Sequence, residues 1–169
     1  MGFQELISKR YSVRAYKSEP VEEEKLQKVL EAVRLAPTAH NFQPFQLVVL
    51  RTAGREKELK RIYQRDWLSQ APVIVVACAV YEGAWLRMDK KNYAEVDATI
   101  AMDHLILAAT DLGLGTCWIA AFNPEELRAL LKLPEGVEPI ALTPIGYAAD
   151  QPKEKKRKPL SELVRYERW

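Results

Sequence analysis

Arg10, Ser12 and Arg14 alternate along a short stretch near the N-terminus, and Lys153, Lys155, Lys156, Arg157 and Lys158 crowd together near the C-terminus. In an extended segment every second side chain points the same way, so the first three would converge. Two guanidiniums and a hydroxyl gathered in this way repel unless an anion sits among them. Phosphate suits the set, because guanidinium holds it through paired, charge-assisted hydrogen bonds. If the fold joins the two clusters, they form a cradle for a phosphorylated cofactor. Read separately, each is an ordinary solvated surface stretch.

Between the clusters lies Ala36-Pro37-Thr38-Ala39-His40-Asn41-Phe42-Gln43-Pro44, a small-polar loop suited to lying against a flat ligand. Gly113-Leu114-Gly115 is not a dinucleotide fingerprint: Trp118 replaces the third glycine, and the glycines follow a helix instead of a strand. Their role is helix termination. His40 and His104 lack zinc-type spacing and no nucleophile constellation accompanies them, so metal and triad chemistry are set aside. No catalytic side chain is assigned.

The elements that must position these groups follow from periodicity. Phe3, Leu6 and Ile7 predict a short helix stopping near Arg10. Ser18-Glu19-Pro20 opens a second, with Glu22, Glu23 and Glu24 at its positive end and Leu26, Val29, Leu30 and Val33 as its buried stripe; Pro37 ends it. Gln46–Leu50 reads as a strand, and Leu59, Ile62 and Tyr63 mark a helix. Pro72–Val80, apolar on both faces, is a central strand. Tyr81–Tyr93 has no period and suits a lid or substrate loop. Glu95–Leu112 is apolar almost all round, which requires burial on more than one side, in the core, at a subunit interface, or both.

Thr116–Ala121 is a further strand. Asn123-Pro124-Glu125-Glu126 starts a helix carrying Leu127, Leu130 and Leu131 on one face. Ile140–Tyr147 is the last core strand, where Pro144 implies a bulge or an exposed edge. The proline- and lysine-rich tail closes with a short helix bearing Leu160, Leu163 and Val164.

Composition bounds the rest. A chain of 169 residues is long enough to bury a proper core as one domain, 1–169. Its net charge of only +2 points to neither nucleic acid nor a membrane surface as partner. Cys78 and Cys117 lie far apart in apolar runs, which suits reduced thiols in the cytoplasm. The first residues lack the regions of a signal peptide, and the apolar run Ala71–Tyr81 is too short to span a bilayer.

Four segments, in order, resemble the nitroreductase-like flavoprotein superfamily. Lys9-Arg10-Tyr11-Ser12-Val13-Arg14-Ala15-Tyr16 is similar to its opening motif, and Ala36–Pro44 to its "APSaxNxQPw" loop. Asp97–Phe122 resembles its long buried helix followed by "GLGscwig". Gly146-Tyr147 with Lys155-Lys156-Arg157-Lys158-Pro159-Leu160 resembles its closing segment. Tyr11 stands where Arg is common, Ala39 where Ser is, and Phe45 where Trp is.

The resemblance implies an α+β fold with a central, mainly antiparallel sheet flanked by helices, in an intertwined homodimer holding FMN at the subunit interface. It implies that Arg10, Ser12, Lys155 and Arg157, with Tyr11 beside them, hold the phosphate and ribityl chain, and that Arg14 approaches the N1–C2=O edge of the ring. Thr38, Ala39 and Asn41 would come from the other subunit, and backbone groups of Trp118, Ile119 and Ala120 would meet the ring near N5. Gln64 would supply a further polar ring contact. The implied reaction is ping-pong: NADH or NADPH delivers hydride to the flavin, which then reduces nitroaromatics, quinones or free flavins, with Trp85, Tyr93 and Phe42 as stacking surfaces. Two alternatives stay open: a specialised flavoenzyme of the same fold performing reductive dehalogenation or flavin fragmentation, and a flavin-binding regulatory protein without turnover.

Overall fold

The computed structural model describes every residue, Met1–Trp169. Its centre is β2 (Val73–Val80), buried along nearly its whole length. Alternation splits the strand between two cores. Val73, Val75 and Ala77 pack with α2 (Glu23–Arg34) and α4 (Ala94–Asp111). Ile74, Val76 and Cys78 face the other way, toward α3 (Glu56–Ile62) and α5 (Pro124–Leu131). A strand covered by helices on both faces has no polar side, which is why its sequence does not alternate. Burial pushes the Cys78 thiol up to about 11.

The sheet is antiparallel throughout, in the order β1-β2-β4-β3, with β1 at Phe45–Arg51, β3 at Gly115–Thr116 and β4 at Val137–Gly146. With its flanking helices it makes the expected α+β architecture. The pairing of β2 with β4 slips between Ala77 and Cys78, leaving Ile140 as the extra residue. The bulge lies at Ile140 and not at Pro144, where a bulge or an exposed edge was expected; the edge is what Pro144 makes. Pro144 acts instead on the opposite side: it has no N–H to donate, and the β3–β4 ladder stops just before it, at Thr116↔Ile145. Pairing resumes only as the isolated bridge Ile119↔Leu142. The strand expected over Thr116–Ala121 is thus two short pieces, with Cys117 and Trp118 released between them. The Cys117 N–H turns to the Thr143 hydroxyl (3.1 Å).

The second helix begins at Glu23, later than Ser18-Glu19-Pro20 predicts. Val21 is buried, and Tyr147 anchors the entry through Glu22 (2.7 Å to Oε2) and Lys25 (2.6 Å). Extended backbone therefore persists through Glu22. On α4, Ala94, Ala98, Ala101, Leu105 and Ala109 form the inward face, small enough to let the helix approach the sheet closely. Val96, Ile100, His104 and Leu107 form a second stripe that stays half-buried.

Apolar surface collects at the two chain ends. α1 (Phe3–Lys9) lies against α4 but buries no residue, and Phe3 is 63% exposed. Beyond Asp150 the chain runs out as an exposed arm with one short helix, α6 (Leu160–Leu163); Leu160 is 76% exposed. No helix is long and apolar enough to cross a membrane.

Candidate functional site

The two basic clusters meet because both chain ends are stitched to the same edge of the sheet. Ala15–Lys17 runs antiparallel to Tyr147–Ala149, with Lys17 N–H donating to Tyr147 O (2.9 Å) and Ala149 N–H to Ala15 O (2.8 Å). The chain leaving β4 is thereby laid beside the N-terminal segment. On its other side that segment bridges β3 in parallel, Ser12 against Thr116, with Val13 N–H donating to Thr116 O (2.9 Å).

Gly115 makes this approach possible, since a Cβ there would lie 2.7 Å from Val13 Cγ2. Val13 is itself fully buried, so it cannot yield cheaply. Gly115→Ala is expected to cost ~1–3 kcal/mol as overpacking. It should also displace Arg10–Arg14 and weaken binding of a phosphorylated ligand more than of its phosphate-free counterpart, measured by titration beside a melting curve.

The stitched ends enclose a cavity of about 330 Å³. Arg10, Arg14, Lys153, Lys155, Lys156 and Arg157 line it, together with Tyr11, Ser12, Asp150 and Glu154. None of the six cations appears among the chain's ion pairs. Asp150 is occupied otherwise. It accepts from Tyr11 Oη (3.2 Å to Oδ1) and from Arg14 N–H (2.8 Å to Oδ2), clamping the 11–14 segment to the chain leaving β4. Lys155 donates to Ile7 O (3.1 Å) and Ser8 O near the C-terminal end of α1, where a cation is favoured. Burial, then the like charges of Arg10 and Arg157, push the Lys155 ammonium down. Burial raises the Cys117 thiol, while Arg14, a Ser12 hydrogen bond and Arg10 oppose it, so the thiol borders the same positive site. Six cations crowded beside two carboxylates, with none of the six in an ion pair, leave an excess of positive charge suited to an anion.

The loop carrying Thr38, Ala39 and Asn41 is elsewhere. Its backbone is left-handed at His40, Asn41 and Gln43, a conformation that must be held from outside. Thr38 Oγ1 accepts from Gln43 N–H (3.1 Å), and Asp97, in the first turn of α4, accepts from Ala39 N–H (3.0 Å). Asp97 is buried and its Oδ2 has no partner. Arg10, by contrast, shares a small cavity of about 160 Å³ with Thr110, in the last turn of α4. The thirteen steps from 97 to 110, at ~1.5 Å each, put about 20 Å between these two ends. Within one chain the basic cavity and the 38–43 loop stand at opposite ends of a helix.

The Tyr81–Tyr93 segment is tied down against that loop. Leu86 bridges Asn92, Arg87 pairs with Asp89 (2.6 Å), and Trp85 meets Tyr93 edge-on at 5.0 Å while stacking on His40 at 5.7 Å. With exposed Phe42 beside His40, this is an ordered aromatic platform.

Trp118, Ile119 and Ala120 lie in the stretch released opposite Pro144. Ile119 exchanges both backbone hydrogen bonds with Leu142, while Trp118 and Ala120 donate to no protein acceptor. The stretch continues to Ala121 and Phe122, which line a second cavity of about 770 Å³ with Gln64. Gln64 thus lines the same cavity as the end of the released strand.

Asp150 and Gly115 had no assigned site role in the sequence, for different reasons. Asp150 acts on a residue 139 positions away, a pairing no local spacing reveals. Gly115 reads as punctuation after a helix. Asp97 did leave a trace: it is the one acid on a helix face otherwise made of Ala94, Ala98 and Ala101.

The sequence model of the Nitroreductase family matches residues 7–65 and 59–147. An FMN reductase (NAD(P)H) of Bacillus subtilis is 36% identical over 165 residues, covering 88% of this chain; the chain spans 66% of that protein's length. An NADH dehydrogenase of Thermus thermophilus is 29% identical, with 92% of this chain and 91% of that protein covered. Among solved structures, a nitroreductase family protein of Clostridium difficile superposes with a TM-score of 0.89 at 39% identity, covering 100% of both chains.

Proposed function

The chain belongs to the Nitroreductase family, and from that premise we propose that it is an FMN-dependent NAD(P)H oxidoreductase whose cofactor sits between two copies of the chain. The observation that carries this is the cavity where both chain ends gather six cations with no ion-paired partner. Such a donor set fits a phosphate monoester, and the whole chain, 1–169, contributes to one cofactor-binding unit. Arg10, Ser12, Lys155 and Arg157 hold the phosphate and ribityl chain, and Tyr11 keeps the cradle assembled through Asp150. Arg14 offers a cation to the ring, where a partly desolvated positive charge favours electron-rich forms. The N–H groups of Trp118 and Ala120, which have no protein acceptor, would be available to the ring, with Ile119 fixed between them.

Thr38, Ala39 and Asn41 complete the site from the second copy. Twofold pairing across α4 sets the N-terminal end of one helix beside the C-terminal end of the other, joining each cradle to its partner's loop. The half-buried stripe of α4, with exposed Phe3 and Ile7 on α1, supplies the apolar surface for that pairing. When bound, the flavin accepts hydride from NADH or NADPH and passes the electrons to a second substrate. The platform of His40, Trp85 and Tyr93 suits small planar aromatic acceptors by stacking. Two separate, buried, free thiols fit a reducing cytoplasm.

The purified protein reconstituted with FMN should be yellow, and anaerobic NADH or NADPH should bleach it. A protein that binds no flavin, or whose flavin bands persist with both reductants, contradicts the proposal.

A further inference from the structure

The second cavity carries charge that the cofactor reading leaves unused. It is lined by Arg61, Gln64 and Arg65 on one side and by Ala121 and Phe122 on the other. The segment Thr116–Ala121 connects the two sites, since Thr116 bridges Ser12 in the cradle and Ala121 walls this cavity. Five steps of near-extended chain, at ~3.3 Å each, span about 16 Å. A cofactor anchored in the cradle and lying along Trp118–Ala120 would direct its ring toward this opening.

Arg65 is exposed and appears in no ion pair. Arg61 has only a long pairing with Glu126, 3.4 Å between two exposed side chains, and Glu125 is the single acid on the cavity wall. The neighbouring first turn of α5 adds no donors: Pro124 has no N–H, and Asn123 Oδ1 already accepts from Glu125 and Glu126 N–H (3.1 and 3.2 Å). The two guanidiniums are the only cationic side chains lining the cavity.

We propose that this cavity is the docking site for the diffusing substrate, and that Arg61 and Arg65 select planar redox substrates carrying a phosphate ester. Two sources share that chemistry: the pyridine dinucleotide reductant, and a free flavin phosphate acting as acceptor. Under alternating use of one exposed ring face, both enter here. The inference rests on the proposed oxidoreductase activity and adds a selectivity that the family assignment does not supply.

The test compares phosphate-bearing with phosphate-free substrates on the FMN-loaded protein and its Arg65→Ala and Arg61→Ala/Arg65→Ala variants. Losing Arg65 should raise KM for NADH about tenfold with kcat little changed, as expected for removing one exposed charge-assisted contact. KM for reduced nicotinamide riboside should not move. As acceptors, FMN should lose and riboflavin should not. Calorimetry supplies a readout independent of turnover: NAD+ binding should weaken in the variant while nicotinamide riboside binding stays the same. Equal losses for phosphate-bearing and phosphate-free partners, or no loss for either, overturn the inference. Flavin content and melting temperature separate this from failure of the parent reading: a colourless or unreducible wild-type protein sinks the oxidoreductase, whereas a yellow, reducible one with unchanged ratios sinks only the anion selectivity.

Discussion

Arg10→Ala combined with Arg157→Ala should yield a protein that folds but purifies without flavin. Both side chains line the 330 Å³ cavity, neither belongs to a core cluster, and neither takes part in an ion pair whose loss would unbalance the fold. Each removes a guanidinium from the phosphate. A hydrogen bond to a charged group contributes ~1.5–3 kcal/mol, so losing two weakens FMN by about a hundredfold to ten-thousandfold. Riboflavin, which lacks the phosphate, should bind wild type and variant alike. Fluorescence titration of both ligands, with a melting curve, measures the effect. FMN affinity within threefold of wild type would remove the cradle from the account.

Leu107→Glu should split the dimer and, with it, release the cofactor. Ile106, the neighbouring position, is no probe of pairing, because it is 5% exposed within the protomer's own core. A carboxylate there would unfold the chain and say nothing about pairing. Leu107, one residue on, belongs to the half-buried stripe and to no core cluster. A glutamate there leaves the monomer intact while placing like charges across a twofold contact, where desolvated repulsion costs several kcal/mol. Light scattering should report a monomer with little change in far-UV circular dichroism, and FMN should be lost in parallel. A dimer that survives, or a monomer that keeps its flavin, contradicts the composite site.

Much of the architecture was legible because it rests on period and composition. The all-apolar run of β2 required cover on both faces, and α3 and α5 supply it on one side, α2 and α4 on the other. Asn123-Pro124 marked the start of α5 to the residue. Departures arose where one residue's backbone chemistry acts at a distance. Pro144 breaks its neighbour's ladder, shortening β3 and freeing Trp118, and Tyr147 delays α2 through Glu22 and Lys25.

The site divides in the same way. The convergence of Arg10, Ser12 and Arg14 followed from alternation, and their meeting with Lys155 and Arg157 is what the stitched chain ends produce. Thr38, Ala39 and Asn41 were identifiable as a loop, but no linear pattern could show that a helix's length separates them from the cradle. The Asp150 clamp and the seat that Gly115 provides for Val13 are contacts between distant positions, invisible without the fold.

Mixing two inactive variants tests the shared site most directly. Arg10→Ala/Arg157→Ala protomers lack a cradle, and Thr38→Glu/Asn41→Glu protomers carry repelling charge on the loop. Neither homodimer should hold FMN. After random exchange, half the dimers pair the two kinds, and each such dimer regains one intact site, so about a quarter of wild-type FMN capacity returns. No recovery on mixing, or full FMN binding by the loop variant alone, would show that a single chain holds the cofactor.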